Sequence, residues 1–189
     1  MFVPELRGNY QPVRALSYAV DYALWGLRPF GFHLTNLLLH IFTVVAVWLL
    51  LRRLLEEPAP FLAAVLFAVH PIHVESVTWM SSRKDVLSLS FFLLAILLYD
   101  SSEQKSCRYL YLGSIAATAL ALLSKLTAVS LPLCILLLQV CRDGWPTRRE
   151  WVQKLVRLSP HILVIVIIIG MNFVRFGGGP PVHGDALAG

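Results

Sequence analysis

The sequence predicts an all-α fold: a polytopic integral membrane bundle with about six spanning helices and one additional amphipathic helix at the interface. Hydrophobic residues make up 57% of the 189 residues and charged residues only 14%, compared with about 25% charged in soluble domains. Residues 32–51 contain no Lys, Arg, Asp or Glu, and as a helix they span a hydrocarbon core of about 30 Å. We assign the net charge of +5 to loops facing anionic lipid and predict no nucleic-acid partner.

The first predicted element is an amphipathic helix over residues 12–27, lying along the membrane interface. Apolar residues recur at helical spacing on one face: Val13, Leu16, Val20, Leu24 and Leu27. Polar residues fall elsewhere around the turn: Arg14, Ser17, Asp21 and Arg28. The predicted organisation is therefore an outer-face segment (1–31), a transmembrane helical domain (32–176) and a flexible outer-face tail (177–189).

The apolar stretches predict six spans, and the charges between them predict their direction. The spans are 32–51, 60–80, 86–99, 109–123, 126–141 and 160–176. One set of connections (52–57, 100–108 and 142–159) carries nine Lys or Arg residues. The other set (81–85, 124–125 and the C-terminal end) carries four: Arg83, Lys84, Lys125 and Arg175. The positive-inside rule makes the richer set cytoplasmic and puts both termini outside. The N-terminal residues would then need an earlier spanning helix to carry them across, so we expect the natural protein to begin upstream.

Basic residues at the outer ends of short spans are the first candidate site. Arg83 and Lys84 directly precede the span 86–99, and Lys125 lies at the tip of the hairpin formed by 109–123 and 126–141. Early-ending helices predict an outward-facing polar cavity, although snorkelling to the headgroups remains an alternative. Arg and Lys side chains there suit a phosphate. Asp85 would cap the following helix or pair with Arg83.

A second group of polar residues follows the span that begins at residue 60. Pro71 is expected to end or kink that helix, which leaves His70, His73 and Glu75 near the outer face as lining for the cavity. Only the two histidines are spaced to share a helix face, so we predict no metal site. The three cysteines, Cys107, Cys134 and Cys141, show no disulfide or zinc-binding pattern.

Several stretches carry a resemblance to one family. Residues 9–14 and 24–40 read NYQPVR and LWGLRPFGFHLTNLLLH, residues 67–77 read FAVHPIHVESV, and residues 83–88 read RKDVLS. A weaker match is ALLSK at 121–125. Together they resemble the membrane part of TMTC-type proteins and their bacterial tetratricopeptide-repeat relatives, over most of residues 9–141.

The resemblance implies a GT-C fold with its active site at the outer or lumenal face. It also implies transfer of mannose, or a similar sugar, from a dolichyl- or polyprenyl-phosphate donor to a protein acceptor. Arg83, Lys84 and Lys125 would then bind the donor phosphate. The acidic pair that the family carries in its first outer loop is unmatched by Glu5 or Asp21, so the catalytic residues are expected upstream and this chain alone is expected to be inactive. Two alternatives stay open: a non-enzymatic membrane anchor of a repeat protein, and a transporter of an anionic substrate.

Overall fold

The computed structural model describes residues 11–73, 78–79 and 82–176, with the backbone alone for residues 175 and 176. Every regular element in these ranges is helical, which confirms the all-α prediction. The α-helices are α1 (Pro12–Trp25), α2 (Pro29–Leu51), α3 (Ala59–Val69), α4 (Arg83–Lys105), α5 (Arg108–Ser124), α6 (Leu131–Asp143) and α7 (Arg148–Phe176). A 3-10 segment, Leu126–Ser130, joins α5 to α6.

Four helical stretches in the described part of the chain are long and apolar enough to cross a membrane. They are Pro29–Leu51, Arg83–Lys105, Leu126–Asp143 and Arg148–Val174. These stretches confirm a helical membrane bundle. The other two predicted crossings correspond to α3, with 11 residues, and α5, with 17 residues. Six crossings therefore remain a prediction that depends on these two shorter helices.

The predicted helix ends are wrong at three places. The second span was predicted to run to residue 80, but α3 ends at Val69. His70 is extended there, with φ −66° and ψ 129°, because the residue before a proline avoids the helical region. The third span was predicted as 86–99, but α4 runs without a break from Arg83 to Lys105. The predicted loop 142–159 is also partly wrong, because α7 begins at Arg148 and contains Pro160.

The predicted amphipathic helix is confirmed as α1, and its apolar side chains point away from the protein. Leu16 and Leu24 are 64% and 70% exposed, whereas Asp21 is buried against the bundle. This arrangement suits a helix whose apolar face meets lipid and whose polar face meets protein. The chain turns from α1 into α2 at Gly26, where φ is +62°, a conformation that glycine adopts without strain.

Helix α4 lies at the centre of the bundle and packs against α5, α2 and α6. Its apolar residues Ala95, Ile96 and Tyr99 belong to a core shared with α5, α6 and α7. Hydroxyl groups join the same helices. Ser90 Oγ lies 2.9 Å from Thr43 Oγ1 on α2, and Ser88 Oγ donates to the Ala121 carbonyl of α5 at 3.0 Å. Such contacts are typical of helices that pack within a membrane.

Charged residues gather at the two ends of the bundle. At one end, here called the Asp100 end, the buried Asp100 of α4 pairs with Arg53, 2.8 Å away, and with Arg142 of α6. The other end, here called the Lys125 end, holds Asp21, Arg83, Asp85 and Lys125. The C-terminal ends of α2, α4 and α6 thus meet at one face, as expected of helices that alternate in direction through a bilayer.

Candidate functional site

An exposed ion pair marks the Lys125 end. Helix α5 ends at Ser124, and Lys125 continues in an extended conformation with φ −157° and ψ 131°. Lys125 Nζ pairs with Asp85 Oδ1 in the first turn of α4. The two side chains are 36% and 33% exposed, so the pair is open to solvent on one side. Of the two predicted alternatives for Asp85, the pair with Arg83 is wrong, because the Asp85 carboxylate reaches the hairpin tip, and the residue at the capping position of α4 is Ser82.

The Lys125–Asp85 pair lines a cavity of 310 Å³. The lining residues come from the first turns of α4 and from the 3-10 segment: Asp85, Ser88, Leu89, Phe92, Lys125, Thr127, Ala128 and Ser130. The lining therefore combines the Lys125–Asp85 pair and three hydroxyl-bearing residues with the apolar side chains of Leu89 and Phe92. This composition suits a ligand with an anionic head and an apolar tail.

A second cavity of 220 Å³ lies against the same part of α4, because Asp85 and Leu89 line both cavities. The rest of its lining includes aromatic and imidazole rings from α2, α3 and the segment after α3. The His73 ring lies 4.2 Å from the Phe67 ring and 5.4 Å from the His40 ring, centre to centre. The predicted pocket residues His73 and Asp85 therefore meet at one cavity.

His70, another predicted lining residue, lies elsewhere. His70 is exposed, and its Nδ1 accepts a hydrogen bond from the Ile72 amide at 3.2 Å. It is not among the residues that line either cavity. Glu75 falls outside the described residues. Within the described ranges, no group of three or more His, Cys, Asp or Glu side chains is placed to hold a metal ion.

Arg83 lies in an environment different from the one predicted. Its side chain has no exposed surface and pairs with Asp21 of α1. Its Nε donates to Asn36 Oδ1 at 2.7 Å, and its Nη2 donates to the Phe32 carbonyl at 2.8 Å. The guanidinium carbon lies 4.7 Å from the centre of the Tyr18 ring. Arg83 therefore connects α4 to α1 and α2, and it is not among the residues that line the Lys125 cavity.

The environment of Arg83 also affects its neighbours. Asp21 Oδ1 accepts a hydrogen bond from Thr35 Oγ1 at 2.7 Å, so both carboxylate oxygens are engaged. Burial raises the pKa of the Tyr18 phenol, while the nearby Arg83 guanidinium acts in the opposite direction. Lys84 is partly exposed and forms no ion pair with a described residue. The three basic residues that the sequence grouped together thus have three different surroundings.

Sequence reasoning missed the partners of these charges. Asp21 was identified as an outer acid without a function, and Asn36 was not singled out. A detectable signal was the presence of the amide Asn36 within a spanning stretch that has no Lys, Arg, Asp or Glu, because polar groups at membrane depth need a partner. Asp100 was assigned to a polar loop, although it is 2% exposed and pairs with two arginines.

Comparison with known proteins supports the resemblance. The family described as dolichyl-phosphate-mannose-protein mannosyltransferase matches residues 11–172. Protein O-mannosyl-transferase Tmtc1 of Drosophila melanogaster is 37% identical over 145 residues, covering 76% of this chain and 16% of that protein. Human TMTC3, with the same description, is 35% identical over 122 residues, covering 65% of this chain and 13% of the relative. Mouse TMTC3 is 39% identical over 95 residues, covering 50% of this chain and 10% of that protein. The chain thus spans 10–16% of the length of these relatives. No solved structure matches it.

Proposed function

Because the chain belongs to the dolichyl-phosphate-mannose-protein mannosyltransferase family, we propose that it is the membrane module of a GT-C-like glycosyltransferase. The module takes a mannose-like sugar from a polyprenyl- or dolichyl-phosphate donor, and a protein is the acceptor. The observation that carries the proposal is the Lys125–Asp85 pair, which lines an open cavity at one end of the bundle.

Lys125 is the residue we propose for the donor phosphate. An ammonium group has three donors, and Asp85 accounts for one of them. Lys125 lines a cavity whose lining also includes Thr127 and Ser130, so we propose that its remaining donors are available to a phosphate there. Lys84 is partly exposed one residue before Asp85, so we propose that it adds positive charge at the rim. The lipid part of the donor lies along Phe92 and Leu89.

We propose a positioning role for Arg83 and no direct contact with phosphate. Its Nε and Nη2 donate to α2 groups and its Nη1 pairs with Asp21 of α1, so ligand binding would require breaking buried contacts. Both described acids at this end are paired with cations. We therefore assign neither Asp21 nor Asp85 as the catalytic base.

The smaller cavity is proposed to lie beside the sugar. It shares Asp85 and Leu89 with the Lys125 cavity, so a group joined to the phosphate there has a short path to His73 and Phe67. The Lys125 end is proposed as the outer or lumenal face, because the Asp100 end holds most of the basic loop residues that the positive-inside rule assigns to the cytoplasm.

Binding of a mannosyl-phosphoryl polyprenol to the purified chain in micelles tests the proposal. A charge-assisted hydrogen bond contributes about 1.5–3 kcal/mol, so Lys125→Met should weaken binding roughly ten- to a hundredfold. Asp85→Asn should leave binding unchanged or tighten it, because the lysine then loses a competing carboxylate. The matched control is Lys105→Met, which removes an exposed lysine at the Asp100 end and should leave the affinity unchanged.

Correct folding of each variant is checked by thermal unfolding before affinity is compared. If a folded Lys125→Met chain binds the donor as tightly as the unchanged chain, Lys125 does not hold the phosphate. The non-enzymatic membrane anchor would then explain the chain better than a donor-binding module.

A further inference from the structure

A cavity of 440 Å³ lies at the Asp100 end, opposite the proposed donor site. It is lined by Ser102, Ser106, Cys107, Arg108, Tyr111 and Arg157. We propose that this cavity is a binding site for the phosphate group of an anionic phospholipid. The inference is independent of the proposed function, because it concerns different residues at the other end of the bundle.

The turn between α4 and α5 and the side of α7 form this cavity. Helix α4 ends at Lys105, the capping residue Ser106 has φ +48°, and α5 begins at Arg108. Tyr111 Oη donates to the Arg157 carbonyl at 2.5 Å, which holds α7 beside the turn. The Arg157 guanidinium carbon lies 5.6 Å from the centre of the Tyr99 ring and 5.5 Å from that of Tyr111. The rings thus keep this guanidinium at the cavity.

The charges around the cavity leave it positive. None of its lining residues is acidic. Arg157 Nε lies 3.8 Å from Glu103 Oε1, but Glu103 also lies 3.7 Å from Arg142 and accepts a hydrogen bond from Gln139 at 2.8 Å. Arg108 is exposed and forms no ion pair with a described residue. The two guanidinium groups therefore retain donors for a phosphate, which arginine binds in a bidentate manner.

The position of the cavity favours a lipid as the source of the phosphate. Tyr109, beside Arg108, is 84% exposed, and Trp145, in the segment after α6, is 83% exposed. Tyr and Trp are enriched at the level of the headgroups. One turn along α5 from Arg108, Leu112 is 49% exposed, as expected where the hydrocarbon begins. Basic pockets between membrane helices at this level suit anionic headgroups.

Cys107 provides a direct probe, because it lines the cavity and is one of the chain's free cysteines. The test uses the full chain carrying Cys134→Ser and Cys141→Ser, in neutral micelles containing phosphatidylcholine. The rate of Cys107 alkylation by N-ethylmaleimide is measured while phosphatidylglycerol is added, and in a separate arm while inorganic phosphate is added. We expect saturable protection by phosphatidylglycerol and little by inorganic phosphate.

Variants separate a defined site from a general attraction to negative charge. Arg157→Gln and Arg108→Gln should each raise the half-protecting lipid concentration by about tenfold or more. The matched control is Arg149→Gln, which removes an exposed positive charge from the same end outside the cavity and should cost no more than about fivefold. Because Arg108 is exposed and has no ion pair among the described residues, its variant is expected to fold even if Arg157→Gln does not.

Three results would overturn the proposal. Equal losses in Arg108→Gln and Arg149→Gln would indicate surface attraction alone. Equal slowing at Cys141, measured in a chain that retains only this exposed cysteine, would indicate the same. Protection by inorganic phosphate as strong as that by phosphatidylglycerol would identify a soluble anion as the ligand in place of a lipid.

Discussion

Replacing Arg83 tests whether the buried ion pair with Asp21 holds α1 against the bundle. The Arg83 side chain is 0% exposed and that of Asp21 is 3% exposed. Removing one partner of a buried pair typically costs about 3–5 kcal/mol, because the other charge is left uncompensated. Arg83→Met should therefore destabilise the chain by about that amount. Arg83→Lys keeps the charge but loses the fork that reaches Asn36 and Phe32, so a smaller loss of about 1–3 kcal/mol is expected.

The assay is reversible unfolding of the purified chain in mixed micelles by titration with a denaturing detergent, followed by tryptophan fluorescence. Lys84→Met is the matched control, since Lys84 is the adjacent cation and is partly exposed; it should cost less than about 1 kcal/mol. The double variant Asp21→Asn with Arg83→Met should cost less than the sum of the single changes, because the two residues share one interaction.

Two outcomes would refute this reasoning. A loss below about 1 kcal/mol in Arg83→Met would mean that the ion pair does not hold α1. An Arg83→Lys chain of unchanged stability that binds the lipid donor as poorly as Lys125→Met would mean that Arg83 binds phosphate, as the sequence alone suggested.

Further predictions concern close packing and the Asp100 end, each measured by the same unfolding titration. Gly31→Ala should destabilise the chain by about 1–3 kcal/mol, because the added Cβ would overlap the Trp25 ring where α1 meets α2. Gly170→Ala has open space around it and should stabilise slightly; a similar loss at both glycines would contradict the close approach. Asp100→Asn should cost about 3–5 kcal/mol, because two arginines lose their shared buried carboxylate. The ion pair of Glu57 with Arg52 is about half exposed, so Glu57→Gln should cost less than about 1 kcal/mol. An equal loss of stability in Asp100→Asn and Glu57→Gln would refute the greater contribution of the buried Asp100 pairs.

The sequence predicted the elements of this fold better than their ends. Apolar length identified α2 and the helices that follow, because a bilayer demands long uncharged segments. The same criterion shortened α4, since it treated Arg83 and Asp100 as boundaries. Both residues belong to the helix and are paired by residues from other parts of the fold, Arg83 by Asp21 of α1 and Asp100 by Arg53, just after α2. Partners brought together only by tertiary packing are not visible in a local hydropathy pattern.

The candidate site was predicted in part. Lys125 and Asp85 were both identified, but their pairing was not, because 40 positions separate them. The approach of the hairpin tip to the first turn of α4 depends on how α4 packs against α5, and a single sequence does not give that packing. The positive charges at the Asp100 end were counted as an orientation signal, and the cavity between Arg108 and Arg157 was not anticipated.

Helix geometry explains why Arg83, Lys84 and Asp85 do not act as one cluster. The sequence analysis placed these residues before the helix, where neighbouring cations could converge on one phosphate. In a helix, successive side chains diverge by about 100°, so the first turn of α4 distributes these residues among different neighbours. Arg83 faces α1 and α2, and Asp85 faces the tip that carries Lys125. The buried Arg83 pair fixes the start of α4, and this fixed start holds Asp85 opposite Lys125. We therefore expect a destabilising change at Arg83 to weaken donor binding indirectly, by shifting the start of α4 that lines the cavity, whereas Lys125→Met acts directly on the phosphate.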